Sequence, residues 1–145
     1  MRRQHQRDAY ADLVRAAHTL VRDVSRLAEG GETTLLDAKR RVRDLREEVD
    51  RAAAIAALEG PDHLITFIDT VIVSTFITEG RVDQFEGTLA GLVQHLDDDI
   101  STLESAASLF AQVARDYLNS GKRRRHLRAR FSDENRRIRR HQLGG

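Results

Sequence analysis

Apolar residues recur every three or four positions along almost the whole chain, and that period restricts it to helices. Tyr10, Leu13, Val14, Ala17, Leu20, Val21, Val24 and Leu27 keep the spacing from about Gln4 to Ala28. Residues so placed share one side of a 3.6-residue turn, which predicts an amphipathic helix. Gly30-Gly31 closes it, because glycine accepts the left-handed backbone that ends helices. Leu35, Ala38, Val42, Leu45, Val49, Ala52, Ile55 and Ala56 repeat the pattern, with Thr33 or Thr34 as its cap. The remaining surface of this second helix, KRRVRDLREEVDR, alternates charge at helical spacing and reads as solvated. Gly60-Pro61 ends it, since proline lacks the N–H a helix needs, and Asp62 is expected to cap the next helix.

Residues 64–78, LITFIDTVIVSTFIT, are rich in β-branched side chains but show no alternation. They are assigned to a helix because a lone strand has no partner in this chain. Being apolar nearly all round, this helix is expected to be the most buried. It is too short to span a bilayer comfortably, and Asp69 sits in its middle. A turn is expected at Gly80. Beyond it run Val82, Phe85, Leu89, Leu92, Leu96, Ile100, Leu103, Ala107, Phe110, Ala114 and Tyr117 at heptad-like spacing. At ~1.5 Å per residue one helix of that extent would reach roughly 55 Å, so either a break near Asp99 with Ser101 as cap or protrusion into a dimer partner is expected. Asn119-Ser120-Gly121 is expected to end the packed body. The fold class is therefore all-α: an antiparallel bundle of about four helices over residues 1–121, then a basic, partly helical C-terminal arm over 122–145.

Composition narrows the chemistry. The 145 residues fit one domain, and 5% aromatic content leaves the core to Leu, Ile, Val and Ala. With no Cys, disulfides, thiolate metal sites and cysteine nucleophiles are all excluded. The first apolar stretch is interrupted by Asp8, Asp12, Arg15 and His18, which argues against a secretory signal. A cytoplasmic protein, soluble or peripheral to the membrane and without a transmembrane segment, is the expectation.

Charge is the second strong feature. Residues 1–120 hold 14 Lys+Arg against 21 Asp+Glu, a net of −7, whereas residues 121–145 hold 10 against 2, a net of +8. Between Glu59 and Ser120, eleven carboxylates meet only Arg81 and Arg115. In the arm, Leu127, Phe131 and Ile138 fall in one wedge of a helical wheel and would order it. Arg123, Arg124, Arg125, Arg128, Arg130, Arg136, Arg137, Arg139 and Arg140 surround them. Ser132, Asp133 and Glu134 place acid where a helix begins, so one interrupted or two short helices are expected there. Such an arm suits a nucleic acid backbone, an anionic membrane surface, or an acidic protein face, its own Asp97-Asp98-Asp99 included. With Phe131 its one aromatic, it does not suit base stacking on single strands. A homo-oligomer, with a dimer favoured, is the expected assembly.

Catalytic and metal motifs are missing. No Gly-x-Ser-x-Gly, Ser-x-x-Lys, Gly-x-Gly-x-x-Gly or Walker sequence occurs. His95 with Asp98 or Asp99 has helical spacing for a cation, yet the chain lacks the Glu-x-x-His pairs of a di-metal bundle. No metal, cofactor or catalytic residue is assigned, and a non-enzymatic role is expected. The alternative is a small-molecule sensor or enzyme with an interhelical pocket near Asp69 and Phe67. A buried Asp69 would have to pair, with Arg115, His18 or Thr66, or protonate.

Three segments, RRQHQRDAYADLVRAAHTLVR, ALEGPD and FAQVARDYLNSG, resemble uncharacterised helical-bundle proteins common in actinobacteria. Those show an Arg-rich entry into an Ala-Tyr helix, a Gly-Pro turn and a closing Phe-x-x-x-Ala-Arg helix. The resemblance covers residues 2–121 and implies a helical bundle and a peripheral membrane setting, with no catalytic residue to transfer. Many of those proteins carry a membrane segment ahead of the Arg-rich entry. The sequence departs from that pattern before Arg2, where no such segment is read, and the basic arm is not assigned to that group.

Overall fold

The computed structural model describes residues 2–29 and 33–143, with side chains from Arg3 as far as Ser120. Five helices form, packed against each other: α1 (Arg2–Ser25), α2 (Leu35–Glu59), α3 (Ile65–Gln84), α4 (Leu89–His95) and α5 (Asp97–Leu143). A 3-10 turn, Asp62–Leu64, leads into α3, and no strand occurs among the described residues. The chain divides into two compact units, residues 1–113 and 114–145.

The core of the first unit is aliphatic, as the scarcity of aromatics requires. Leu13, Leu20 and Val24 of α1, Val42 and Val49 of α2, Ile68 and Val71 of α3, Leu92 of α4, and Leu103 and Phe110 of α5 are fully buried. Each large apolar side chain so enclosed contributes about 1.5–3 kcal/mol. Phe110 meets Tyr10 edge to face, with ring centroids 5.8 Å apart and planes at 87°, the arrangement ring quadrupoles prefer.

The helix ends explain how α1 and α2 are held in register. The last carbonyls of any helix lack intrahelical donors. Here Gln6 Nε2 donates to the Glu59 carbonyl at 2.9 Å, and the Tyr10 hydroxyl donates to the Gly60 carbonyl. Gly60 has φ +61°, a left-handed conformation that favours glycine, and its bond to Pro61 is cis. At the far end of the pair, Arg41 Nη2 donates to Asp23 Oδ2 at 2.7 Å. Thr34, rather than Thr33, caps α2 by accepting from the Asp37 N–H at 3.1 Å.

Several expectations are corrected. Asp62 caps nothing: Pro61 occupies the cap position without a side-chain bond, and Asp62 opens the 3-10 turn. Gly80 makes no turn, because α3 runs through it to Gln84. The heptad-like run breaks first at Phe85–Thr88, which the spacing does not predict. Gly87 has φ 152° there, and the Thr88 hydroxyl caps α4 by accepting from Gly91 N–H at 3.1 Å. Ser101 caps nothing and lies inside α5. A second, smaller interruption comes at Leu96, so Asp97, Asp98 and Asp99 form the first turn of α5, where carboxylates oppose the helix dipole favourably. Asn119-Ser120-Gly121 does not end a helix, and neither does Ser132 begin one, since α5 continues to Leu143.

Candidate interaction surfaces

The helix expected to be most buried instead turns much of its apolar surface outward. On α3, Ile68, Val71 and Val82 are buried together with Ser74, Thr75 and Thr78, whereas Ile65, Val73, Phe76 and Ile77 are exposed. Phe76 retains 68% of its surface and Val73 54%. The hydroxyls tolerate burial because each donates within its own helix: Ser74 to the Thr70 carbonyl, Thr75 to Ile72 and Thr78 to Ser74, all at 2.8 Å. Their small size lets α3 pack closely, and the bulkier side chains are left on the other face. That exposed face went unrecognised in the sequence. The signal for it was present in Ser74 and Thr78, four residues apart beside Thr75, a hydroxyl stripe that marks one side as different.

An ion-pair network fixes α3 against α2. Arg46 pairs with Glu79 and with Asp50, Arg43 lies 3.8 Å from Glu79 and 4.0 Å from Asp83, and Lys39 Nζ donates to the Asp83 carbonyl at 2.8 Å. Glu79 is the most enclosed of these, its side chain 12% exposed. Arg81 reaches Asp99 of α5 at 3.2 Å.

Asp69, expected as a pocket carboxylate, lies on the exposed side of α3, and Phe67 is half-buried. An exposed carboxylate needs no partner, so the pairing expected with Arg115, His18 or Thr66 is not required. A concavity lies elsewhere, in a groove of about 360 Å³ between α1 and α2. Ala9, Ala16, Leu45, Ala52 and Ile55 contribute its apolar lining. On its rims Asp12 pairs with Arg15 at 3.0 Å and Glu48 with Arg51 at 2.8 Å. Both charged pairs form within their own helices and are exposed at the rims.

Among the described residues no group of three or more His, Asp or Glu side chains is placed to hold a metal ion. The His95 ring lies against Phe85, with centroids 5.5 Å apart. The side chains of the basic arm, Arg123, Arg124, Arg125, Arg128, Arg130, Arg136, Arg137, Arg139 and Arg140 with Leu127, Phe131 and Ile138, lie outside the described residues. One helix of the described residues, Asp62–Gln84, is long and apolar enough to cross a membrane by length and composition, and 39% of its most apolar window is buried.

Comparison with known proteins finds no matching family model, no similar curated protein and no similar solved structure.

Proposed function

We propose that this chain is a non-enzymatic helical interaction module: an antiparallel bundle carrying a basic arm, residues 122–145, that contacts a polyanion. The observation that carries this reading is the segregation of charge, a net of +8 over residues 121–145 against −7 over the preceding 120. Net positive charge concentrated at one end creates a local positive potential that the near-neutral whole conceals. The nine arm arginines neutralise phosphate or lipid headgroup charge, and release of condensed counterions supplies the affinity. Leu127, Phe131 and Ile138 order the arm on its target.

The test is binding of the full chain to duplex DNA, to RNA and to vesicles containing anionic lipid, each over a salt series. A variant with all nine arm arginines changed to Gln serves as the comparison. Arm-dependent binding is expected. On duplex DNA log K should fall with log salt by about 0.9 for each phosphate neutralised. The preferred ligand then names the class. If wild type and variant bind all three equally, or not at all at low salt, the polyanion reading fails and an acidic protein face becomes the partner to seek.

A further inference from the structure

We propose that the outer face of α3 is a homodimer interface in which Phe76 of each copy packs over Gly80 of the other. This goes beyond the polyanion reading and does not depend on it, because it uses α3 alone.

Phe76, Val73 and Ile77 stand exposed on one side of α3, and Ile65 extends the same face. Single exposed apolar residues are ordinary, but a contiguous stripe of them on one helix marks a surface that meets something. Gly80 lies on this face too, one turn beyond Phe76 and still inside the helix. A glycine there costs about 1 kcal/mol relative to alanine. Packing within the chain does not explain it: beyond its chain neighbours and its own helix backbone, a β-carbon at position 80 would meet none of the described residues within 4 Å. An open glycine beside an exposed phenylalanine is a gap beside a knob.

That combination fits a second copy because it is self-complementary. A two-fold axis must bring a patch onto itself, so each feature has to find its complement in the same patch. Phe76 and Gly80 are four residues apart, about 6 Å along the helix. An axis crossing α3 midway between them, level with Thr78, sets each Phe76 over the other copy's Gly80. Val73 and Ile77 flank the contact. Asp69 then lies about 13 Å from the axis, at the edge of the contact, where its carboxylate stays hydrated.

Lipid is the less suitable occupant. From Ile65 to Gln84 the helix carries Asp69, Glu79 and Asp83 against Arg81 alone, which lies 3.2 Å from Asp99, so it offers an anionic headgroup layer little to bind. A single helix pair is also at the small end of specific interfaces, which makes the association weak and concentration-dependent.

Sedimentation velocity of the full chain from about 5 to about 500 μM, a range suited to small interfaces, is the test. Phe76→Ser removes the knob and Gly80→Leu fills the gap. Leu58→Ser, at an exposed apolar residue of α2 that retains 86% of its surface, is the control. The wild type is expected to dimerise. Phe76→Ser and Gly80→Leu should each raise the dissociation constant at least about tenfold, as loss of a central interface residue does. Leu58→Ser should leave it unchanged. Leucine is a better helix former than glycine and meets open space at position 80, so Gly80→Leu should retain full helicity by circular dichroism. A monomer at the highest concentration overturns the proposal. So does a dimer that tolerates either α3 substitution, or one that Leu58→Ser weakens as much as they do.

Discussion

Tyr10 does two separable things, and the distinction can be measured. Its ring packs edge-on against Phe110, and its hydroxyl donates to the Gly60 carbonyl at the end of α2. Tyr10→Phe keeps the ring and removes that donor, which should cost about 1 kcal/mol in urea unfolding, the usual net value of one such bond. Phe110→Ala removes a fully buried ring and should cost about 3–5 kcal/mol by the same measurement. Equal losses in the two variants would mean that the hydroxyl contributes as much as a fully buried ring, against this expectation. Periodicity alone placed Tyr10 on the buried stripe of α1. It did not reveal that the hydroxyl meets a carbonyl fifty residues away. Spacing along a helix gives a side chain's direction but not what lies there.

At the level of elements, α1 and α2 were legible because both have a polar side to contrast with an apolar one. In α3 the pattern was ambiguous. A helix apolar nearly all round offers no contrast, so burial was expected everywhere, and Asp69 was drawn inward with it. The outcome reflects small-residue packing: Ser74, Thr75 and Thr78 satisfy their hydroxyls internally and face the core, leaving Asp69, Val73 and Phe76 outside. Glycine usually punctuates, so the sequence alone suggests a turn at Gly80, yet α3 runs through it. Gly87, where φ is positive, carries the turn instead. The orientation of α3 rests also on Glu79, whose carboxylate pairs with Arg46 and lies near Arg43. Glu79→Gln would remove the more enclosed of the two carboxylates that pair with Arg46 and leave that guanidinium only Asp50. A loss of about 1–3 kcal/mol is expected, by chemical denaturation at neutral pH. An Arg46→Met, Glu79→Met double variant should recover part of it, because the enclosed guanidinium is gone and the partners left behind, Asp50 and Arg43, reach solvent. If the double variant is no more stable than Glu79→Gln, the pair matters through its packing and not through its charge.

For the whole molecule the governing quantity is the charge difference between its two ends, a property of sequence and therefore fully legible there. If the proposed polyanion reading holds, the eleven carboxylates between Glu59 and Ser120 would repel the ligand wherever they come within roughly a Debye length of it, ~8 Å at physiological salt. Asp97 and Asp98 are exposed members of that set, whereas Asp99 pairs with Arg81. Changing Asp97 and Asp98 to Asn raises the formal net charge from +1 to +3 without touching the arm. The substitution weakens the favourable charge at the start of α5 by about 0.3–1 kcal/mol per residue, a small loss that thermal unfolding can monitor. Association with duplex DNA at low salt should become a few-fold faster, because electrostatic steering depends on the summed field. The gain should vanish near ~0.5 M salt, where screening removes that field. Dissociation at any one salt concentration should stay as it was, since the contacts themselves are unchanged. An unaltered association rate at low salt would mean that the arm acts beyond the reach of the body's field, and that the acidic half plays no part in selecting its partner.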